Sequence, residues 1–117
     1  MSQVSIDELN WGLVAWIIPL AGGILGFIIR PESNYVKHWS YLSIAFGIVI
    51  IVVSVILDLL SLATMILPPL FIIIKALSIL VGLVFVIIWI VGIIRERNSI
   101  YWKPALIYDV AKMLGSP

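Results

Sequence analysis

The sequence predicts an all-α integral membrane protein that forms a single membrane domain over residues 1–117. The prediction comes from composition: 63% of the residues are hydrophobic and only 11% are charged, and the mean hydropathy is +1.25. A soluble domain is about half apolar and about a quarter charged. A chain of this length in water would need polar residues to cover its surface. Because these residues are missing, lipid must cover the surface.

Three apolar stretches are long enough to cross a bilayer. A helix rises about 1.5 Å per residue, so a hydrocarbon core of about 30 Å needs roughly 20 apolar residues. The first predicted span covers residues 9–29. Ser5 and Glu8 at its start have the spacing of a capping box, which satisfies the free amides of a helix start. The second span covers residues 39–57 and the third covers residues 76–94.

An apolar segment, LLSLATMILPPLFIII over residues 59–74, joins the second and third spans. Pro68 and Pro69 interrupt any single helix through it, because proline lacks an amide hydrogen and clashes with the preceding turn. The part between Leu59 and Pro69 is too short to cross the membrane and return. We therefore predict an apolar connector that lies at the interface or forms a shallow re-entrant hairpin packed on protein. A thin fourth span over residues 59–74 is the alternative.

Lysine and arginine are distributed unevenly about the three predicted spans. Six of the seven fall in the 30–38 hairpin or after the third span, namely Arg30, Lys37, Arg95, Arg97, Lys103 and Lys112. Basic residues collect on the cytoplasmic side of membrane proteins. The sequence thus predicts a plasma-membrane protein with the 30–38 hairpin and the C-terminus in the cytoplasm and the N-terminus outside.

The segment after the third span predicts a C-terminal amphipathic helix over residues 104–114. Pro104 suits a first helical turn, and Asp109 and Lys112 share a face away from the apolar stripe. The stripe has the 3–4 spacing of a helix and consists of Leu106, Ile107, Val110, Met113 and Leu114. We expect this helix to lie in the inner interface plane or to dock under the bundle.

Two short segments carry a family resemblance: NYVKHWSYLS at the start of the second span and YWKPALIYDVA after the third. Together they resemble the Tic-twenty-like family, small membrane domains related to the inner-envelope import component of chloroplasts. Its members read like F-V-R-F-H-A-x-Q-S at the first point and Y-Y-x-x-P-L-I-G-D-L-A at the second. The matching positions are Lys37, His38, Ser43, Tyr101, Pro104 and Asp109. No glutamine follows His38 at the usual place, and Tyr108 replaces the usual small residue.

The resemblance extends over about residues 12–114. It implies a helical membrane bundle that is linked, in plastids, to protein translocation. For the bacterial and archaeal members it implies the fold without a particular activity.

Two further sets of residues are candidates for interactions in the membrane. Gly22 and Gly26 form a GxxxG pattern that allows another helix to approach closely, and the neighbour is either another span or another protein. Pro19, just before them, is expected to kink the first helix. Asp58 and Lys75 bound the second and third spans and are predicted to pair or to reach water at the outer rim. A proton or ion path through these two charges is the alternative.

Catalytic and ligand-binding patterns are missing from the sequence. His38 is the only histidine, and there is no cysteine. No metal-ligand spacing, nucleophile elbow or phosphate loop occurs. No basic patch with interleaved aromatic residues points to nucleic acid. The sequence therefore predicts no enzyme, no cofactor, no metal and no nucleic-acid partner.

The functional hypothesis from the sequence is a non-enzymatic membrane subunit that acts by helix packing within a larger membrane assembly. A protein-translocation or channel component is the first alternative, as the resemblance implies. A structural membrane protein of an enveloped particle is the second. The expected partners are membrane lipids together with other integral membrane proteins or further copies of the chain.

Overall fold

The structure, a computed structural model, describes residues 4–115 and is all-α. The helices are α1 (Ile6–Ile17), α2 (Ala21–Ile29), α3 (Asn34–Ala63), α4 (Pro68–Arg97) and α5 (Ala105–Leu114). The molecule is elongated, 55 Å long and 23 by 20 Å across.

The long helices α3 and α4 form an antiparallel hairpin that sets the length of the molecule. Each has 30 residues and is about 45 Å long at 1.5 Å per residue. Within the described part of the chain, these two helices are long and apolar enough to cross a membrane. They contain the predicted spans 39–57 and 76–94 and extend beyond both at each end.

The predicted interfacial connector between these spans is wrong. Residues 59–63 continue α3 and residues 68–74 begin α4, so a turn of four residues joins the helices. Pro68 and Pro69 lie in the first turn of α4, where a missing amide hydrogen removes no helical hydrogen bond. Thr64 ends α3, and its Oγ1 donates to two carbonyls of the last turn at 2.9 and 3.1 Å. The backbone amide of Thr64 donates to the same two carbonyls at 3.1 and 3.3 Å.

The single first span over residues 9–29 is also wrong, because this segment folds into two helices that pack on each other. Helices α1 and α2 have 12 and 9 residues. At 1.5 Å per residue they are about 18 and 14 Å long, too short for a core of about 30 Å. The chain reverses its direction between α1 and α2, so Asp7 and Arg30 form an ion pair at 2.8 Å. We call residues 6–29 the N-terminal hairpin.

The start of α1 therefore lies at the same end of the molecule as the 30–38 segment, which corrects the predicted placement on opposite sides. Glu8 accepts a hydrogen bond from the hydroxyl of Ser33, and Arg97 donates to the carbonyl of Leu9 at 3.3 Å. The predicted capping box of Ser5 and Glu8 is confirmed. The hydrogen bonds from Ser33 and from the Ser5 amide hold the pKa of Glu8 below its ordinary value.

The two halves of the α3–α4 hairpin differ in their surroundings. Helices α1, α2 and α5 pack against α3 at one end, which we call the wide end, and α1 also packs against α4. The core lies there and consists of Ala15, Trp16, Tyr35, Trp39, Leu42, Ala45, Phe46, Ile107 and Ala111. We call residues 51–84 the distal arm. Most of its apolar side chains are exposed, and Ser61 is the one buried residue in it.

Candidate functional site

Residues 18–20 reverse the chain between α1 and α2. Pro19 has no amide hydrogen, so α1 cannot continue through it. Leu20 has φ 71° and ψ −66°, and the amide of Ala21 donates to the carbonyl of Pro19 at 2.9 Å. This is a γ-turn with positive φ, which is rare and strained for a residue with a side chain. The proline and the γ-turn together replace the kink expected from the sequence by a full reversal.

Other helices satisfy the polar groups that this reversal frees. The amide of Leu20 donates to the hydroxyl of Ser43 at 3.2 Å. The indole of Trp89 donates to the carbonyl of Ile17 at 3.1 Å, and the indole of Trp16 donates to the carbonyl of Trp89 at 2.9 Å. An irregular backbone segment in apolar surroundings persists only where protein supplies such partners. The reversal is therefore built into the contacts of α3 and α4.

Gly22 and Gly26 both face neighbours within this chain. A Cβ at Gly22 would collide with the carbonyl oxygen of Val14 and lie 2.8 Å from that of Ala15. A Cβ at Gly26 would lie 2.6 Å from the hydroxyl of Ser40 on α3. The GxxxG pattern thus brings α2 close to the backbone of α1 and to a side chain of α3.

Trp16 is the centre of an aromatic cluster at the wide end. Its side chain is fully buried and stacks on Phe46, with 4.9 Å between the ring centroids and 13° between the planes. Trp39 and Trp102 meet it edge-on at 5.3 and 5.9 Å. Gly92 of α4 provides the space, since a Cβ there would overlap the indole ring. No spacing in the sequence indicates Trp16, because its partners come from α3, α4 and the tail.

The two family-like segments meet in space. Nε2 of His38 donates to the carbonyl of Trp102 at 2.7 Å, and the His38 ring lies 5.2 Å from the ring of Tyr101. The indole of Trp39 donates to the carbonyl of Ile100 at 3.2 Å. These contacts fix the segment between α4 and α5, which has no regular secondary structure.

The remaining family-like positions lie away from the His38 contact. Pro104 directly precedes α5 and has an extended backbone with φ −65° and ψ 131°. Asp109 is exposed and pairs with Lys112 at 3.6 Å. Lys37 is partly exposed and forms no ion pair with any residue between 4 and 115.

Helix α5 covers the segment predicted for the tail helix and packs on α3. Ile107 and Ala111 are buried in this contact. Leu106 and Met113, from the same predicted apolar stripe, are 67% and 84% exposed. The stripe is thus divided between a row that faces the bundle and a row that faces outward.

Asp58 and Lys75 are both exposed on the distal arm. Neither belongs to an ion pair with another described residue, so the predicted pairing within the chain is not formed. The ammonium of Lys75 lies instead over the ring of Phe71, 5.5 Å from its centroid. Phe71 is one helical turn nearer the start of α4, so the lysine side chain runs towards the 64–67 turn.

Glu96 is a buried carboxyl that sequence reasoning missed. Its side chain is fully buried between α1, α3 and α4, and neither carboxyl oxygen accepts a hydrogen bond from the described part of the chain. A guanidinium nitrogen of Arg97 lies 3.7 Å from Oε1, and a Cβ at Gly12 would lie 2.6 Å from Oε2. The hydroxyl of Tyr35 donates to the backbone carbonyl of Glu96. In the sequence, a glutamate between two arginines at a helix end resembles a solvated charge.

Glu96→Met is expected to raise the free energy of unfolding by about 1–3 kcal/mol, because it replaces a buried carboxyl that has no hydrogen-bond donor by an apolar side chain of similar volume. The lost contact with Arg97 costs at most about 1 kcal/mol, since that guanidinium is 42% exposed. Denaturant unfolding in detergent micelles measures the change. Glu32→Met, at an exposed position, is the control and should stay within about 0.5 kcal/mol. A loss of stability in Glu96→Met alone would contradict the prediction.

No group of three or more histidine, cysteine, aspartate or glutamate side chains in residues 4–115 is arranged to hold a metal ion. The backbone groups freed at the reversal between α1 and α2 instead bind Ser43 and Trp89. Comparison of the chain with protein-family models, with curated proteins and with solved structures finds no match.

Proposed function

We propose that this chain is a non-enzymatic integral membrane subunit that acts by helix packing within a larger membrane assembly. The observation that carries the proposal is the exposed apolar surface of the distal arm. The most apolar stretch of α4 is only 6% buried, against 33% for that of α3. An apolar surface of this extent is rare on a protein in water and marks a membrane or protein contact.

The placement of aromatic residues supports an arm that crosses a bilayer. Every tryptophan and tyrosine of the sequence lies outside residues 51–84. Such side chains collect at the membrane interface. From Trp89 to Pro68, α4 rises about 32 Å at 1.5 Å per residue, close to the hydrocarbon thickness of about 30 Å. This match supports an aromatic belt at one interface and the 64–67 turn at the other.

The charge distribution supports an orientation with the wide end in the cytoplasm. Six of the seven lysine and arginine residues lie at that end, which is the cytoplasmic pattern. Two crossings, rather than three, then leave the start of α1 and the end of α5 on the same side of the plasma membrane. Helix α5 packs along α3 at the cytoplasmic end of the crossing in this arrangement, with a row of apolar side chains facing outward.

A protein-translocation component is the second candidate. The broken first helix favours it, because interrupted helices line substrate paths in transporters. Helix packing remains the better proposal. Ser43 and Trp89 already bind the backbone amide of Leu20 and the carbonyl of Ile17, so neither group is left to bind a substrate. Ion flux through liposomes that hold the purified chain would favour the second candidate.

The proposed topology is tested by single cysteines, which the natural chain lacks. We expect an impermeant thiol reagent to label Ile66→Cys in intact cells, because Ile66 is 88% exposed in the far turn. Ile6→Cys and Glu32→Cys should react only after the membrane is permeabilised. The unsubstituted chain is the control for background labelling. Labelling of Ile6→Cys but not of Glu32→Cys in intact cells would indicate the three-span topology and contradict the proposal.

Assembly is tested by extraction in mild detergent after the membranes are washed with alkaline carbonate. A packing subunit should stay in the washed membranes and elute in a particle larger than one chain of 13.0 kDa in its detergent micelle. A chain that is released by carbonate is not an integral membrane protein. A chain that resists carbonate but elutes alone in every mild detergent does not act by packing.

A further inference from the structure

We infer that the distal arm is the surface on which two copies of this chain pair, with Asp58 of each copy against Lys75 of the other. The inference rests on the proposed membrane insertion and names the partner as a second copy. Asp58 and Lys75 are the only ionisable residues of residues 51–84. Both are exposed, and neither is in an ion pair within the described chain.

The two charges lie at similar depth. Asp58 precedes the 64–67 turn by six residues and Lys75 follows it by eight, which is about 9 and 12 Å along the helices at 1.5 Å per residue. With the turn at the far interface, both charges lie inside the outer leaflet. Ionisable side chains at such depth are costly and pair with one another. A second copy supplies to each the partner that the chain itself does not.

The two charges also lie on the same flank of the hairpin. In the distal arm the least exposed rows are Val53, Leu57 and Ser61 on α3 and Phe71, Ile74, Ser78 and Val81 on α4. These rows face the opposite helix. Asp58 follows Leu57 by one residue and Lys75 follows Ile74 by one, a rotation of about 100° in each helix. Because the helices are antiparallel and face each other, this step carries both residues to the same side, which we call the charged flank.

A two-fold axis along the membrane normal makes the charged flank complementary to itself. It places α3 of each copy against α4 of the other, so that Asp58 meets Lys75 twice at one depth. Such an interface, formed from the same patch on both copies, is the commonest kind in homodimers. Both copies keep the same orientation in the membrane, as the basic wide end requires.

Gly82 leaves room for this approach. It follows Val81 by one residue and so belongs to the charged flank, and no atom lies within 4 Å of a Cβ built on it. Small residues at such positions let transmembrane helices come close. Leu80 precedes Val81 by one residue, lies on the opposite flank and is 58% exposed.

Disulfide trapping of the purified full chain in liposomes tests the surface. Under mild oxidation, Gly82→Cys should form a covalent dimer at least about tenfold faster than Leu80→Cys, because only Gly82 lies on the flank that faces the second copy. Leu80→Cys is the matched control, since it lies at nearly the same depth of the same helix. Equal trapping at the two positions, or none at Gly82→Cys, would overturn the inference.

Charge reversal, with Gly82→Cys as the reporter, tests the pairing. Asp58→Lys and Lys75→Asp should each slow trapping roughly tenfold or more, because like charges then meet across the interface. The combination of both reversals should restore trapping to within a few-fold of the original rate. Asp58→Asn and Lys75→Gln remove the charges without reversing them, and each should also slow trapping. Rates that do not respond to any of these changes would overturn the pairing.

The same samples separate this inference from the proposed function. Every variant is first shown to resist alkaline carbonate, and only inserted protein is scored. Release of the unsubstituted chain by carbonate would overturn the membrane function itself. An inserted chain that binds a different membrane protein, with no trapping at Gly82→Cys, would contradict the pairing of two copies. It would leave the proposed function as a packing subunit intact.

Discussion

Trp16→Ala is expected to lower the free energy of unfolding by about 3–5 kcal/mol, the range for truncation of a buried aromatic side chain. The substitution removes a fully buried ring that contacts Phe46, Trp39 and Trp102. It also leaves the carbonyl of Trp89 without the indole donor at 2.9 Å. Denaturant unfolding in detergent micelles, followed by helical circular dichroism, measures the loss.

Trp11→Ala is the matched control on the same helix. Trp11 is only partly buried, and its ring lies 5.7 Å from the guanidinium carbon of Arg30. A cation–π contact at such a site contributes about 0.5–1 kcal/mol. We therefore expect a clearly smaller loss than at Trp16. Similar losses at the two positions would mean that Trp16 does not organise the core of the wide end.

Gly22→Ala is expected to lower the free energy of unfolding by about 1–3 kcal/mol or more, as overpacking of a tight contact does. A Cβ at Gly22 meets the carbonyl oxygens of Val14 and Ala15. Backbone atoms cannot rotate away, so α1 and α2 must separate. The same unfolding assay gives the value.

Gly82→Ala is the control for this glycine. No atom lies within 4 Å of a Cβ at Gly82, so alanine adds no clash. Alanine has a higher helix propensity, and we expect no loss or a gain of up to about 1 kcal/mol in the monomer. The assay is run at a protein-to-detergent ratio that keeps the chain monomeric. Equal destabilisation at the two glycines would contradict the close packing of α1 and α2.

The two long helices were predictable from the sequence because apolar length alone determines them. The predicted spans 39–57 and 76–94 both fall inside helices that the structure contains. The capping box at Ser5 was predictable for a similar reason, since its partners are three residues apart. Local patterns of this kind require no knowledge of the packed chain.

The reversal at Pro19 was not predictable in this way. A proline in an apolar run predicts a kink, and whether the chain continues or turns back depends on distant partners. Ser43 and Trp89 supply these partners from α3 and α4. Glu96 was missed for the same reason, because its burial depends on Gly12 on another helix. Features that depend on contacts between distant segments do not appear in the spacing of residues.

The position of Trp16 also bears on the order in which the protein is made. Chains emerge from the ribosome N-terminus first, and earlier segments generally fold first. Some of the contacts of Trp16 come from Trp89, Gly92 and Trp102, which are synthesised long after the N-terminal hairpin. Until they appear, α3 alone supplies partners to this segment, through Ser43 at Leu20 and through Trp39 and Phe46 at Trp16. The surroundings of Trp16 are therefore completed only after Trp102 has been made, and a chain that ends before Trp89 lacks the hydrogen bond of the Trp16 indole.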